Sequence, residues 1–313
     1  NEDYTPVCSY ENKGTHTKEI SAVDLERGLG YAYSEMMQPV FLHSKDMSEE
    51  IEKQDYEDYD IVHIISADNY RYAKCFYDYR LVFDLKFVEI ADNVEDQEYV
   101  FLNLKEEEIE SLYECVKRLF NITDRINLNI QTLDKKFNRT IYEKQLEQCA
   151  QFLIETYEQT GKMKELNVLT DILFLTEHEG CSAGENSYTY VSNGEVYICP
   201  AFYSENKEPI GNIQNGLQNK NAHLLTIGYM PLCQVCDNNH CENCKYLNQK
   251  YTKEVNISPS FQCMKAETER KVSQQLQEKL INKLYMPNCL SKRESEDPIL
   301  KIREKGIVPG YYK

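Results

Sequence analysis

Seven cysteines lie between residues 181 and 263: Cys181, Cys199, Cys233, Cys236, Cys241, Cys244 and Cys263. The other five of the twelve, Cys8, Cys75, Cys115, Cys149 and Cys289, are spread thinly over the remaining chain. A secreted disulfide scaffold is usually short and carries cysteines throughout. Here a long cysteine-poor stretch precedes a dense cluster, and no basic segment followed by an apolar one opens the sequence. The pattern favours thiolates holding metal in a reducing, cytoplasmic compartment. Cys233-x2-Cys236 and Cys241-x2-Cys244 are two knuckles four residues apart. A two-residue gap lets both thiolates of a pair point at one metal while backbone amides donate to the sulfurs. Seven thiolates are one short of two four-cysteine sites. One site then takes a non-cysteine ligand, is left open, or one cysteine is a bystander. Spacing leaves zinc and iron–sulfur both open, and zinc is the common use of paired knuckles.

The rest of the composition narrows the function. The chain has 313 residues, which suggests two domains, and 41% hydrophobic against 28% charged residues, which suits a globular protein. A net charge of −17 would be repelled by a phosphate backbone, so nucleic acid is not expected as a partner. No apolar run approaches the roughly 20 residues that span a bilayer, so no membrane role is expected. No Gly-rich phosphate loop, G-x-S-x-G elbow or H-E-x-x-H is present.

Residues 1–175 read as alternating strands and helices, the pattern of βα units on a parallel sheet. Strands are expected at 40–43, 60–66, 81–85, 100–104, 126–130 and 168–175. Helices are expected at 21–37, 47–54, 70–77, 105–120 and 142–160. These are too few units for a complete eight-fold barrel, so the expected fold is α/β with a partial, open parallel barrel. The texture changes near Thr176. Tyr188 to Val191, Asn193-Gly194 and Glu195 to Ile198 read as a hairpin, because Asn-Gly supplies the positive φ of a tight turn. Residues 176–264 then form a cysteine-rich module. Residues 265–313 form an amphipathic helix, with Val272, Leu276, Leu280 and Leu284 on one face, and a polar tail.

The cysteine order resembles the SPASM domain of radical S-adenosylmethionine (SAM) peptide-modifying enzymes. Cys181, twelve residues, Gly194, four residues and Cys199-Pro200 look like its opening, and the central run and Cys263 follow in order. Gly211-Asn212-Ile213 is similar to the segment that follows the second cysteine. The family's inner spacings are x5 and x3, against x4 and x2 here. The resemblance covers about residues 177–270, with a weaker likeness to the partial barrel elsewhere. It implies two auxiliary 4Fe–4S clusters, one held by Cys181, Cys199 and Cys244 and one by Cys233, Cys236, Cys241 and Cys263. No cysteine occurs in Ser182 to Ser187, so the first site would have an open iron or a ligand such as Glu185. An open iron could take a peptide thiolate.

The SAM-cleaving motif C-x3-C-x2-C does not occur in this sequence; only Cys8, with Ser9, Tyr10 and His16, lies near its usual place. One thiolate cannot replace three, so SAM chemistry in the usual mode is not expected. The opening residues 2–10 resemble CXXX repeat peptide maturases, radical SAM/SPASM-like proteins without that motif. The resemblance implies maturation of a ribosomally made, cysteine-containing precursor peptide. The alternative is a non-catalytic recognition subunit, stapled by zinc or iron–sulfur, that presents the peptide to a partner maturation enzyme.

Asp3, Cys8 and Tyr10 are candidate catalytic residues, because they fall in a segment expected after the first strand, on the active face of an α/β fold. The competing reading is an ordinary loop. His240, beside Cys241, reads as a loop histidine and His63 as a satisfied core residue. Cys75, Cys115 and Cys149 read as core fillers. The acids at Glu49 to Asp60 and Glu106 to Glu110 read as solvated faces, and an acidic groove for a basic leader peptide is the sharper alternative. The 24 tyrosines suit a peptide-binding surface.

Overall fold

The computed structural model describes residues 4–12, 20–45, 47, 59–175, 178, 180–284, 286, 287 and 290. The chain divides into two compact units. The first comprises residues 1–133 and 183–220, the second 134–182 and 221–313. Each is therefore discontinuous in sequence.

The first unit is built on five parallel strands: β1 (Val40–Leu42), β2 (Val62–Ser66), β3 (Tyr79–Asp84), β4 (Val100–Lys105) and β5 (Arg125–Gln131). They stand in the order of the sequence. That consecutive winding is the barrel-type arrangement and differs from a doubly wound sheet, whose order reverses at a switch point. Ile64, Ile65, Leu81, Val82, Phe83, Leu102, Leu104, Leu128 and Ile130 are buried. Near-continuous apolar runs are what parallel strands covered on both faces require.

Helices α1 (Ala22–Ser34), α2 (Tyr70–Ala73) and α3 (Leu112–Leu119) belong to the same unit. The region expected to be helical at 105–120 begins as a 3-10 segment, Glu106–Ser111, before α3. The stretch expected at 47–54 lies outside the described residues except for Met47.

The second unit opens with α4 (Arg139–Thr160), capped by Asn138, whose Oδ1 accepts from Ile141 N at 3.2 Å, and ended by Gly161 at φ 70°. A two-residue strand β6 (Glu165–Leu166) follows, then α5 (Asn167–Thr170) and the 3-10 turn Asp171–Leu173. This corrects the strand expected at 168–175. Val168, Leu169, Ile172 and Leu173 are buried, and a short buried helix and a buried strand give the same apolar run.

The hairpin returns to the first unit: β7 (Thr189–Tyr190) pairs antiparallel with β8 (Glu195–Tyr197), and Gly194 adopts φ 84° in the turn. Short α6 (Pro200–Ser204) follows, then β9 (Gly211–Asn212) and β10 (Gly216–Leu217) extend the small sheet. A Cβ at Gly211 would lie 2.4 Å from the Gly216 carbonyl oxygen, so this position admits only glycine. Tyr190 Oη donates to Asp24 O at 2.9 Å and thereby holds α1 to this small sheet.

The second unit ends with α7 (Lys245–Thr252) and α8 (Ser260–Leu280). α8 packs along α4 and buries Val272, Leu276 and Leu280. It starts before Cys263 and so carries that cysteine in its first turn. The polar tail at 291–313 lies outside the described residues, as does Cys289. Cys115 and Cys149 are buried, but Cys75 is exposed, a correction to its reading as a core filler. It sits in the turn after α2, where its amide donates to Tyr72 O at 3.1 Å and its side chain leaves the core.

Candidate metal centre

Four cysteines of the second unit, Cys233, Cys236, Cys241 and Cys263, lie within electrostatic reach of one another. Cys233 opens a 3-10 turn, and Cys236 N closes it onto Cys233 O at 3.0 Å. Cys241 N donates to Asn238 O at 3.1 Å, which folds the next knuckle back. Cys263 arrives on α8. Burial raises the Cys241 thiol, and the charges of Cys263, Cys233 and Cys236 raise it further. Burial, then Cys233 and Cys236, push Cys263 up to about 12. Burial also raises Cys233. Thiols this close, and this poorly solvated, repel one another as thiolates. A cation among them reverses that repulsion, so the donor chemistry fits a thiophilic metal or an iron–sulfur cluster. Asn238 adds to the fit: its Nδ2 is buried between the knuckles with no partner among the described residues. As placed, no three Cys, His, Asp or Glu side chains among the described residues are set to hold one metal ion. A single ion would require the thiols to draw together.

A buried amide network supports the site. Cys233 Sγ lies 3.6 Å from Ser258 Oγ, and Ser258 donates to Asn243 Oδ1 at 2.7 Å. Asn243 Oδ1 also accepts from Asn248 Nδ2 at 3.0 Å, and Asn248 Oδ1 accepts from Gln262 Nε2 at 2.8 Å. Gln262 Oε1 then accepts from Cys244 N at 2.6 Å. Asn243 holds φ 47°, a left-handed conformation that asparagine tolerates best among residues with a side chain. The network thus fixes both Cys233 and Cys244.

Cys181 and Cys244 are brought together by main-chain ties. Cys181 N donates to Glu242 O at 2.6 Å, and Lys245 Nζ donates to Cys181 O. Both flanks of Cys244 therefore grip Cys181. Lys245 is itself buried. Beneath lies an ion-pair cluster: Lys265 Nζ is 2.8 Å from Glu269 Oε1 and 3.6 Å from Glu242 Oε1, and Tyr142 Oη donates to Glu269 Oε1 at 2.6 Å. Burial works against the Lys265 charge, but Glu242 and Glu269 overcome it and raise its pKa.

Cys199 belongs to the first unit, where it precedes α6. It and Cys8 both bear electrostatically on the buried hydroxyls of Tyr4 and Tyr10. Tyr10 Oη donates to Tyr4 Oη at 2.8 Å, and Tyr4 Oη donates to Pro200 O at 3.4 Å. Burial above all raises both hydroxyl pKa values, so both stay protonated. Two of the three candidate catalytic residues, Cys8 and Tyr10, thus meet in one cluster. Asp3 lies outside the described residues.

Sequence reasoning missed a polar ladder in the same unit. Asp84, Asn103 and Asn129 are register neighbours across β3, β4 and β5. Asn129 Nδ2 donates to Asn103 Oδ1 at 3.0 Å, Asn103 Nδ2 donates to Pro6 O at 2.7 Å, and Asp84 is hydrogen-bonded to Asn103. Burial raises the Asp84 pKa. The available signal was a polar residue interrupting each otherwise apolar strand.

His63 is a buried core residue, paired with His43: His43 Nε2 is 2.8 Å from His63 Nδ1, and Phe76 stacks on His63 at 4.0 Å. Burial, then the facing imidazole, lowers His43 to about 3, and burial lowers His63 to about 4 although Asp78 opposes it. Folded values below the unfolded 6.5 mean that the pair's contribution is complete above pH 6.5 and is lost as pH falls toward 4. Acidification from pH 7 to 5 is expected to cost the first unit roughly 2 kcal/mol for each of the two imidazoles. Urea unfolding at the two pH values, in the wild type and in His63→Phe, measures it; an unchanged pH dependence in the variant would refute the assignment.

His240 stands half-buried in the loop before Cys241. Among the described residues no helix is long and apolar enough to cross a membrane.

No protein-family model matches the chain, and no curated protein matches its sequence. Solved structures do match its fold. One is hexahistidine-tagged anSMEcpe with bound AdoMet. It aligns with a TM-score of 0.59 at 12% identity over 89% of this chain and 91% of that one. Another is native anSMEcpe with bound AdoMet and the Cp18Cys peptide, with a TM-score of 0.53 at 15% identity over 88% and 97%. The chain therefore shares the overall α/β fold of these two structures, with a parallel sheet.

Proposed function

We propose that this protein matures a ribosomally made, cysteine-containing peptide, using SPASM-type auxiliary clusters and no SAM-cleaving cluster of the usual kind. The observation that carries the reading is that Cys233, Cys236, Cys241 and Cys263 lie in one unit, within electrostatic reach of one another, in a chain with this fold. A structural neighbour is bound to a Cys-containing peptide, which supports a peptide as the partner here.

The proposed ligand sets are Cys233, Cys236, Cys241 and Cys263 for one site, and Cys181, Cys199 and Cys244 for the other. A cluster bound there supplies electron storage and a Lewis-acidic iron. The chain's own residues prepare the thiolates. Lys265 places positive charge toward Cys241, and Arg270 toward Cys236. Asn238 Nδ2 is available to donate to a sulfur, and Ser258 orients Cys233. In the first unit, the protonated Tyr4–Tyr10 pair can donate a hydrogen bond to a thiolate at Cys8 or on a peptide. Cys8 and Tyr10 are the proposed catalytic residues.

The test is metal analysis and an optical spectrum on anaerobically purified protein, followed by incubation with a cysteine-containing precursor peptide. About seven or eight irons per chain, broad visible absorption and a mass change in the peptide are expected. Colourless protein with one or two zincs would overturn the cluster reading in favour of a stapled recognition subunit. An iron-loaded protein that never alters the peptide without a partner enzyme would overturn the catalytic reading alone.

A further inference from the structure

We propose that Asn103 is the positioning residue of the loop that carries Cys8 and Tyr10, and that Asn129 sets the direction of its amide. The inference rests on the reading of Cys8 and Tyr10 as catalytic and deepens it by naming what holds them at the sheet.

The row of polar residues is the first observation. Parallel strands covered on both faces are expected to be apolar at their centre. Asp84, Asn103 and Asn129 depart from that at one level of three adjacent strands. Asn103 and Asn129 are only 2% and 7% exposed. Buried amides are stable only where their hydrogen bonds are met, and the partner that lies outside the sheet here is the loop.

The bonds of Asn103 run in one direction. Its Oδ1 accepts from Asn129 Nδ2 at 3.0 Å, which decides which end of the amide turns away from β5. Nδ2 then donates to Pro6 O at 2.7 Å, and Asn103 is also hydrogen-bonded to Asp84 on β3. Pro6 has a ring-fixed φ, so its carbonyl is a stiff handle on the chain.

The loop is also closed on itself and tied at both ends. Asn12 Nδ2 donates to Tyr4 O at 3.0 Å, and Tyr10 Oη donates to Tyr4 Oη at 2.8 Å. Tyr4 forms a bridge with Ser44, and Glu11 pairs with Lys105 Nζ at 2.8 Å. Tyr4 Oη reaches Pro200 O, and Ser204 Oγ reaches Asn12 Oδ1, both at 3.4 Å. These ties lie at Tyr4 and at residues 10–12. Asn103 grips the stretch between them, two residues before Cys8. Thr5, Pro6, Ser9 and Tyr10 are buried, whereas Cys8 stays half-buried. All of these residues belong to the first unit.

The test is pulsed alkylation of the full chain with iodoacetamide at neutral pH under anaerobic conditions, read by peptide mapping. In Asn103→Ala the labelling rate of Cys8 is expected to rise about five-fold, the size that loss of one net hydrogen bond gives. Cys115, buried in the same unit, is the folding control and should stay unlabelled. Asn129→Asp should have a similar effect with Asn103 intact. A carboxylate at 129 can only accept, so it turns the Asn103 amide round and presents Oδ1 to the Pro6 carbonyl. An unchanged Cys8 rate in Asn103→Ala, with Cys115 protected, overturns the proposal. Should Asn103→Ala expose Cys115 as well, Asn129→Asp decides: a wild-type Cys8 rate there overturns the proposal, and a rise with Cys115 protected supports it. Cys115 labelled in both variants overturns it in favour of a purely structural row. Peptide modification that survives Cys8→Ser overturns the catalytic reading alone.

Discussion

Replacing Glu269 by alanine is expected to destabilise the second unit by about 3–5 kcal/mol, the usual cost of leaving one member of a buried ion pair without its partner. The side chains of Lys265 and Glu269 are only 6% and 5% exposed, and they meet at 2.8 Å. Without Glu269, the Lys265 ammonium keeps Glu242 alone, at 3.6 Å and on a more exposed side chain. Tyr142 loses its acceptor at the same time, and its hydroxyl is fully enclosed. Both losses fall where α4 meets α8, leaving there the Arg139 Nε bond to Thr268 Oγ1 at 3.1 Å and the Lys271–Glu143 ion pair at 2.7 Å. Lys265→Met combined with Glu269→Leu is expected to cost much less than either single change, because no uncompensated charge remains. Urea unfolding of the four proteins completes the cycle. A loss below about 1 kcal/mol for Glu269→Ala would show that the pair is solvated and of the surface kind.

Removing metal is the second large perturbation. Under the proposed ligand sets, chelation under reducing conditions is expected to unfold the 233–263 region, since a structural four-thiolate site contributes of order 10 kcal/mol to folding. The raised thiol pKa values supply the reason: without a cation the four groups are driven to the protonated form, and the loop between α8 and the knuckles loses its centre. Cys233→Ala should reproduce the effect, because Cys233 is tied through Ser258 and Asn243 to the amide network. Cys181→Ala and Cys199→Ala should impair activity more than folding. Proteolysis and circular dichroism of the three variants, with and without chelator, decide the matter; equal unfolding by all three would sink the division of roles.

Much of the first unit was legible in the sequence because its strands are buried on both faces. Apolar runs at 62–66, 79–84, 100–105 and 125–131, alternating with helical patterns, pointed to parallel strands. The hairpin was legible for a different reason, since Asn193-Gly194 encodes a backbone conformation directly. The run after Leu166 was misread because burial alone does not distinguish a strand from a single helical turn. Cys75 was misread because burial of cysteine is a tendency of the residue type, whereas its direction depends on where α2 ends.

The candidate site divides the same way. Spacing by itself marked Cys233, Cys236, Cys241 and Cys244 as metal-type thiols, because a two-residue gap is a local geometric property. Spacing could not say that Cys263 lies within electrostatic reach of Cys233, Cys236 and Cys241, that Glu242 and Lys245 grip Cys181, or that Cys8 and Cys199 both bear on one tyrosine pair. The sequence determined which residues can bind and which segments must be buried, since both follow from side-chain chemistry and periodicities of a few residues. Only the tertiary structure decided which distant groups meet, because desolvation, repulsion between thiols and unmet hydrogen bonds arise from neighbours far apart along the chain.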